Sequence, residues 1–281
     1  MNRGKSVSLF LIDGTINGRL KCSIANWTGI GFKIPRTQLG NCKDRPELKQ
    51  TGIYLLMGKS DDTTDEMVYV GQASIRKNGQ GLIGRLQEHN KNLEKDYWNE
   101  AIVITTSNDS LSGTEIGYLE NRLYSMAKNA KRYIVKNENA PACGNITEEK
   151  RCELEDFIDY TRIVVAALGH KVFEPIAEMD EDADILYCKR SGTNAKGKLT
   201  SDGFVVFKNS VLSASFTKSC PSYIKIKRKK LSDIIGADNT LVEDVLFNSP
   251  STASSFVCGA STNGMVEWVN KDGKVLKDLS L

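Results

Sequence analysis

The sequence predicts an α+β fold, with a small antiparallel sheet flanked by helices, an N-terminal β unit before it and a mainly β domain after it. Three observations predict this. Short alternating stretches bounded by Gly, Asn and Asp open the chain, recur through residues 52–71 and return after residue 200. Stretches of helical period lie between them, at 81–93, 112–130 and 148–168. The acidic run Glu178-Met179-Asp180-Glu181-Asp182-Ala183-Asp184 repels itself and lacks apolar content, so it reads as a linker. The expected segments are an N-terminal β unit (1–48), a central domain (49–145), a connecting helix (146–177), the acidic linker (178–199) and a C-terminal domain (200–281).

Along residues 5–40, turn signals at Asp13-Gly14, Asn17-Gly18 and Trp27-Thr28-Gly29 punctuate the strands, and Ile34-Pro35-Arg36 ends the unit. Strands follow at 52–57 and 67–71 around a polar loop. Pairing Tyr54 with Tyr69 places the hairpin tip between Asp61 and Asp62. A helix over 81–93, a strand over 100–106 and a helix over 112–130 come next; Ser112-Gly113-Thr114-Glu115 is a capping box for the last. The 148–168 helix stops at Gly169. Strands are expected at 203–207 and 223–227. Ser249-Pro250 then opens a helix ending at Gly259, and 265–269 closes the chain as a short strand.

Composition narrows the chemistry. The seven cysteines are scattered with no C-x-x-C spacing, which excludes a disulfide framework and a zinc finger and fits a reducing, cytoplasmic setting. Two histidines, His89 and His170, exclude H-E-x-x-H metalloproteases. No run approaches the ~18 apolar residues of a membrane span, and the apolar stretch at 7–12 is too short for a signal-peptide core. Net charge is +6 over 1–50, −1 over 51–145, −6 over 146–190 and +4 over 191–281. Basic flanks around a near-neutral middle suit an anionic polymer held beside a central site, and ordinary solvated faces give the same pattern.

Two helices carry polar residues where apolar ones belong. With Leu82 at zero on a helical wheel, Leu93 and Leu86 fall at about 20° and 40°, His89 at about −20° and Arg85 at about −60°. On the later helix, Glu120 falls about 40° from Ile116, flush against Leu119, Leu123 and Ala127. Burying an ionised carboxylate costs several kcal/mol unless a cation or hydrogen bonds compensate. The capping box explains Glu115 but not Glu120. Two phenols (Tyr54, Tyr69), a guanidinium, an imidazole and one buried carboxylate are what metal-assisted phosphodiester hydrolysis needs.

Gly52-Ile53-Tyr54 and Tyr69-Val70-Gly71 resemble the GIY-YIG nuclease signature, with Val in place of an Ile. The resemblance covers about residues 50–141 and continues through Gly84-Arg85-Leu86-Gln87-Glu88-His89 and Leu119-Glu120-Asn121-Arg122-Leu123. It implies a three-stranded antiparallel core and a metal-dependent DNA endonuclease. Glu120 would then hold Mg²⁺ or Mn²⁺, Arg85 would neutralise the scissile phosphate, and Tyr54, directly or through Tyr69, would help activate water. His89 is the alternative base. Asn139 is the expected supporting asparagine, with Asn137 its rival. The Tyr54–Tyr69 spacing is longer than usual, and Gln72 stands where some members have a lysine. Residues 200–281, with Gly203-Phe204-Val205-Val206, Ser249-Pro250-Ser251 and Asn263-Gly264 before Trp268, resemble a domain of unknown function often found C-terminal to bacterial GIY-YIG proteins.

The run Lys225, Lys227, Arg228, Lys229 and Lys230 is expected to contact nucleic-acid phosphates or to form a solvated strand edge. Trp27, Trp98 and Trp268 sit in apolar contexts and are expected in the core. The expected partner is DNA, with RNA as the alternative substrate and no membrane. A nucleic-acid-binding or adaptor protein that keeps the scaffold without turnover is the rival reading.

Overall fold

The computed structural model describes residues 4–60, 65–92, 95–176, 185–190 and 192–279, and the chain divides into two compact units, 1–175 and 176–281. The expected hairpin tip at Asp61 and Asp62, Leu93 and the acidic run 178–184 lie outside the described residues. Among the described residues no helix is long and apolar enough to cross a membrane. The fold is α+β.

In the first unit, β1 (Val7–Leu11), β2 (Leu20–Ile24) and β3 (Gly29–Pro35) form a meander. After them come β4 (Gly52–Lys59), β5 (Glu66–Ala73), α1 (Leu82–Lys91), β6 (Trp98–Thr106), α2 (Gly113–Ala130), the two-residue β7 (Ile134–Val135) and α3 (Glu148–Ala167). The strands make one mixed sheet in the order β1-β2-β3-β6-β4-β5-β7, with only the β5–β7 pair parallel. Seven pairs along β3 and β6 carry the N-terminal strands into this sheet, so they do not stand apart as a separate unit.

β4 is buried on both faces, and its alternation sorts two cores. Ile53, Leu55 and Met57 join Val68, Val70, Ile102 and Ile104 beneath α2 and α3. Tyr54 and Leu56 join Phe32, Val103, Leu82 and Leu86 on the α1 side. The capping box at Ser112 and Glu115 starts α2 with both reciprocal bonds made. α3 packs on β2 and β3 rather than serving as a connector, and it is tied to α2 through Glu155, which accepts from Tyr118 Oη and doubly from Arg122.

The second unit holds a four-stranded antiparallel sheet, β11-β10-β9-β8, from β8 (Leu186–Cys188), β9 (Ala195–Thr200), β10 (Gly203–Val206) and β11 (Val245–Phe247). β8 and β9 fall in the stretch expected as linker: β8 has only three residues, and the inward positions at the start of β9 are the small Ala195 and Gly197, with Gly197 placed against Phe204 rather than in a turn. Helices α4 (Ser222–Lys230), α5 (Pro250–Cys258) and α6 (Gly264–Glu267) share this unit, so it is mixed rather than mainly β. Residues 223–227 are therefore helical. Alternating Ile and Lys mimic a strand there, but only Ile224 needs burial, and lysine is a good helix former. Residues 265–267 belong to α6, capped by Asn263, and Val269 alone makes strand-like bridges, to Tyr187 and Val275. The core rests on Phe256 against Phe247 and Trp268 against Phe204, with ring centroids 4.9 and 4.4 Å apart.

Candidate functional site

The two tyrosines share a face, though not as direct partners. Tyr54 pairs with Gly71 and Leu56 with Tyr69, a register two residues from the expected one; a slide of two leaves every side chain on its face. Both phenols project toward α1, with ring centroids 6.3 Å apart. Gly71 is needed because the Tyr54 phenol lies across it: a Cβ there would stand 2.3 Å from the hydroxyl oxygen. At Gly52 a Cβ would come 2.4 Å from the Ile104 carbonyl oxygen. Both motif glycines thus serve close approach.

α1 buries Leu82, Ile83, Leu86 and His89 on one face. His89 Nε2 lies 2.7 Å from Tyr54 Oη, and the two residues are 4% and 1% exposed. Burial, then the charges of Lys95 and Arg85, hold His89 down at about 4, so it is neutral near pH 7. Burial, with Tyr69 beside it, pushes the Tyr54 phenol well above its ordinary range. The phenol therefore keeps its proton, and two neutral groups share this hydrogen bond. Tyr69 is less buried, and burial and the Glu120 charge push it up as well.

Arg85 reaches both phenols and Glu88, whose Oε2 accepts at 2.9 Å; burial opposes its charge, but these partners outweigh burial and hold it protonated. Glu88 also takes both arms of the Arg76 guanidinium, and Arg76 first, then Arg85, hold its carboxyl at about 2. Lys95 Nζ sits 3.4 Å from the Tyr69 ring centroid, a cation–π contact.

Glu120 comes from α2, on the other face of the sheet. It meets this cluster around the end of β5, where Gln72 offers its carboxylate both a side-chain and a backbone hydrogen bond. Edge cover by β7 stops at Val68, and beyond it the Asn137 side chain takes the strand's place, accepting from Val70 N–H at 3.0 Å and donating to Val70 C=O at 2.7 Å. The rim of β5 past that point is where the two faces meet. Asn139 lies exposed two residues beyond Asn137.

Glu120 suits a hard divalent cation. Burial pushes its carboxyl up against the opposing pull of Gln72 and Arg85, so its charge is incompletely compensated. Mg²⁺ asks for one or two carboxylates and keeps several waters, which a single half-buried carboxylate on an open rim can satisfy. The structure thus gathers Tyr54, Tyr69, Arg85, His89 and Glu120 in one place. Glu88, Gln72 and Lys95 also belong to it; the signals available were the i, i+3 spacing of Glu88 from Arg85 and the place of Gln72 directly after the Tyr69-Val70-Gly71 motif.

The basic run lies in the other unit and is divided in role. Arg228 turns inward and donates to the carbonyls of Phe256 and Val257 at the end of α5 and to Ser213, so it is a structural cap and not a free phosphate ligand. Lys225, Lys229 and Lys230 are exposed, and Lys227 sits 4.5 Å from the Phe247 ring centroid. Trp98 and Trp268 are buried, and Trp27 packs on Phe157 and Tyr160.

Residues 186–280 match the family described as "Domain of unknown function (DUF4357)", which begins earlier than the expected boundary at 200 because β8 is part of its sheet. No curated protein and no solved structure matches the chain.

Proposed function

We propose that the first unit is a divalent-metal-dependent endonuclease of the GIY-YIG type, cleaving phosphodiester bonds in DNA. The observation that carries this reading is the meeting of Arg85, Tyr69 and the Tyr54–His89 pair from the α1 face with Glu120 from the α2 face, around the open end of β5. Packing alone gives no reason to bring two phenols, a guanidinium and an incompletely paired carboxylate to one rim.

Arg85, held charged by its partners, neutralises the scissile phosphate. Tyr69, the less buried phenol, faces the attacking water, with Tyr54 and His89 behind it. A proton leaving water passes to Tyr69 as Tyr69 passes its own to Tyr54, and it ends on the neutral Nε2 of His89. Tyr54 thus acts through Tyr69, since its own hydroxyl is walled off from solvent. Mg²⁺ or Mn²⁺ held by Glu120 would supply charge stabilisation at the leaving oxygen.

Purified protein incubated with plasmid, single-stranded DNA and RNA, with Mg²⁺ or with chelator, tests the reading. Nicking of DNA in Mg²⁺ or Mn²⁺, abolished by chelator, is expected. DNA binding without cleavage in either metal would leave a binding or adaptor role on the same scaffold.

A further inference from the structure

The sequence shows no pair of cysteines at metal-binding spacing, yet the second unit brings two together across 70 residues. Cys188 ends β8 and Cys258 ends α5, and their sulfurs lie 3.6 Å apart in the core. Glu267, the last residue of α6, completes the group: its carboxylate and the two sulfurs all lie within 4.8 Å of one another.

From this cluster we propose a zinc site formed by Cys188, Cys258 and Glu267. The sulfur separation suits it. Two thiolates on a tetrahedral zinc, with Zn–S bonds of about 2.3 Å, stand roughly 3.8 Å apart, whereas a disulfide closes to about 2.05 Å. The ligand set is two soft thiolates and one carboxylate, which zinc accepts and Mg²⁺ or Ca²⁺ does not. Both cysteines are buried, while the Glu267 side chain is 21% exposed, so an ion enters from that side and a water can fill the fourth position.

Charge also fits. Two thiols lose their protons on binding, and two thiolates plus one carboxylate on Zn²⁺ leave one negative charge. The Arg190 guanidinium already pairs with Glu267 Oε1, leaving the second carboxylate oxygen for the ion and supplying the balancing positive charge. Arg190 is in turn fixed through the Thr193 hydroxyl, which accepts from its backbone N–H and donates to its carbonyl. The ion would join β8 to the ends of α5 and α6, a helix pair that follows it some sixty residues later in the chain.

The test loads the full-length chain with Zn²⁺ under reducing conditions, removes free metal and measures metal content; a parallel sample is loaded with Co²⁺ for spectroscopy. Expected are one retained ion per chain and, with cobalt, thiolate charge-transfer absorption with the intense visible bands of a tetrahedral ion. Cys188→Ser and Cys258→Ser should each abolish both signals, and Glu267→Gln should weaken zinc binding about tenfold or more. The Cys143→Ser/Cys152→Ser double variant removes two exposed thiols and should bind as the parent does. The cobalt spectrum of the parent is read without any variant, so a misfolded mutant does not blunt the test. The proposal is overturned by absence of a retained ion, by an octahedral cobalt spectrum without thiolate absorption, or by isolation of the chain with a Cys188–Cys258 disulfide.

Discussion

Tyr54 Oη and His89 Nε2 lie 2.7 Å apart, joining the middle of β4 to the last turn of α1 through a hydrogen bond shielded from water. The bond is built from two groups driven in opposite directions by the same burial: the phenol is harder to ionise and the imidazole harder to protonate. Each therefore holds the state the other needs. Both groups stay neutral, so the bond stabilises the strand–helix junction without burying a charge, and the neutral imidazole retains one nitrogen able to take up a proton.

Tyr54→Phe should separate these roles. It removes the hydroxyl and leaves His89 Nε2 buried without this partner, at a cost of about 1–3 kcal/mol measured by urea unfolding. Plasmid cleavage should fall by about 10²-fold or more if the hydroxyl relays the proton. Unchanged cleavage in a folded variant removes Tyr54 from the relay.

His89 also sets a pH dependence. Its folded value of about 4 lies below the unfolded 6.5, so the unfolded chain binds the proton first as pH falls. The stabilising contribution is complete above pH 6.5 and is lost as pH drops toward 4, on the order of 3 kcal/mol in all. In His89→Gln, unfolding free energy measured across this window should fall less steeply than in the parent. Equal slopes would show that His89 titrates normally.

Glu88 is a positioning residue in this account. It lies between Arg76 and Arg85 and holds Arg85 at the angle from which it reaches the phenols. Glu88→Gln keeps the size and loses the charge. Stability should hardly change, because the carboxylate is well exposed, while cleavage should drop about ten- to a hundredfold as Arg85 loses its setting. Restoration by Glu88→Asp to an intermediate rate would distinguish positioning by charge from simple bulk.

What was legible in the sequence, and what was not, follows from periodicity. His89 and Glu120 stood out because each is polar on a face whose spacing requires apolar residues, and the structure puts both against the sheet. Gln72, Glu88 and Lys95 carried no such contradiction, since polar residues are ordinary at exposed or half-exposed positions. The Tyr54–Tyr69 face was readable but its register was not: alternation specifies the face and is blind to a slide of two residues. In α4 the same blindness worked on a helix, where Tyr223, Lys225 and Lys227 alternate with Ile224 and Ile226 although Ile226 stays exposed. Arg228 gave no hint of its cap, because its acceptors come from residues 213, 256 and 257.

That division within the basic run is testable. Arg228→Gln removes donors from three carbonyls and should destabilise the second unit by about 2–4 kcal/mol. Lys225→Gln, Lys229→Gln and Lys230→Gln together should leave its melting unchanged. If these lysines contact phosphate, each loss lowers the log–log salt slope of DNA binding by about 0.9. An unchanged slope would make them a solvated helix face.

Glu120→Gln bears most directly on the metal. Glu120's folded value is raised by burial, despite Gln72 and Arg85, so the folded chain holds this proton more firmly than the unfolded chain does. Its favourable contribution is complete below the unfolded value near 4.5 and is lost as pH rises through the folded one. At neutral pH the ionised carboxylate is thus a net burden on the metal-free fold, and the glutamine variant should be as stable as the parent or slightly more so. That advantage should vanish on acidification below pH ~4.5, where the parent carboxyl is neutral too. DNA binding should persist and cleavage should fail, with added Mg²⁺ restoring little, because the ligand charge is gone. Glu115→Gln is the matched control on the same helix. Glu115 accepts from Ser112 N–H at 2.6 Å and pairs with Lys150 at 3.3 Å, so its loss should cost at most about 1 kcal/mol and leave cleavage intact. Melting from pH 4 to 8, a DNA titration and plasmid nicking on both variants decide the point. Normal nicking by Glu120→Gln would remove the metal ligand from this account, and a glutamine variant less stable than the parent at pH 7 would show that the carboxylate is already paired in the fold.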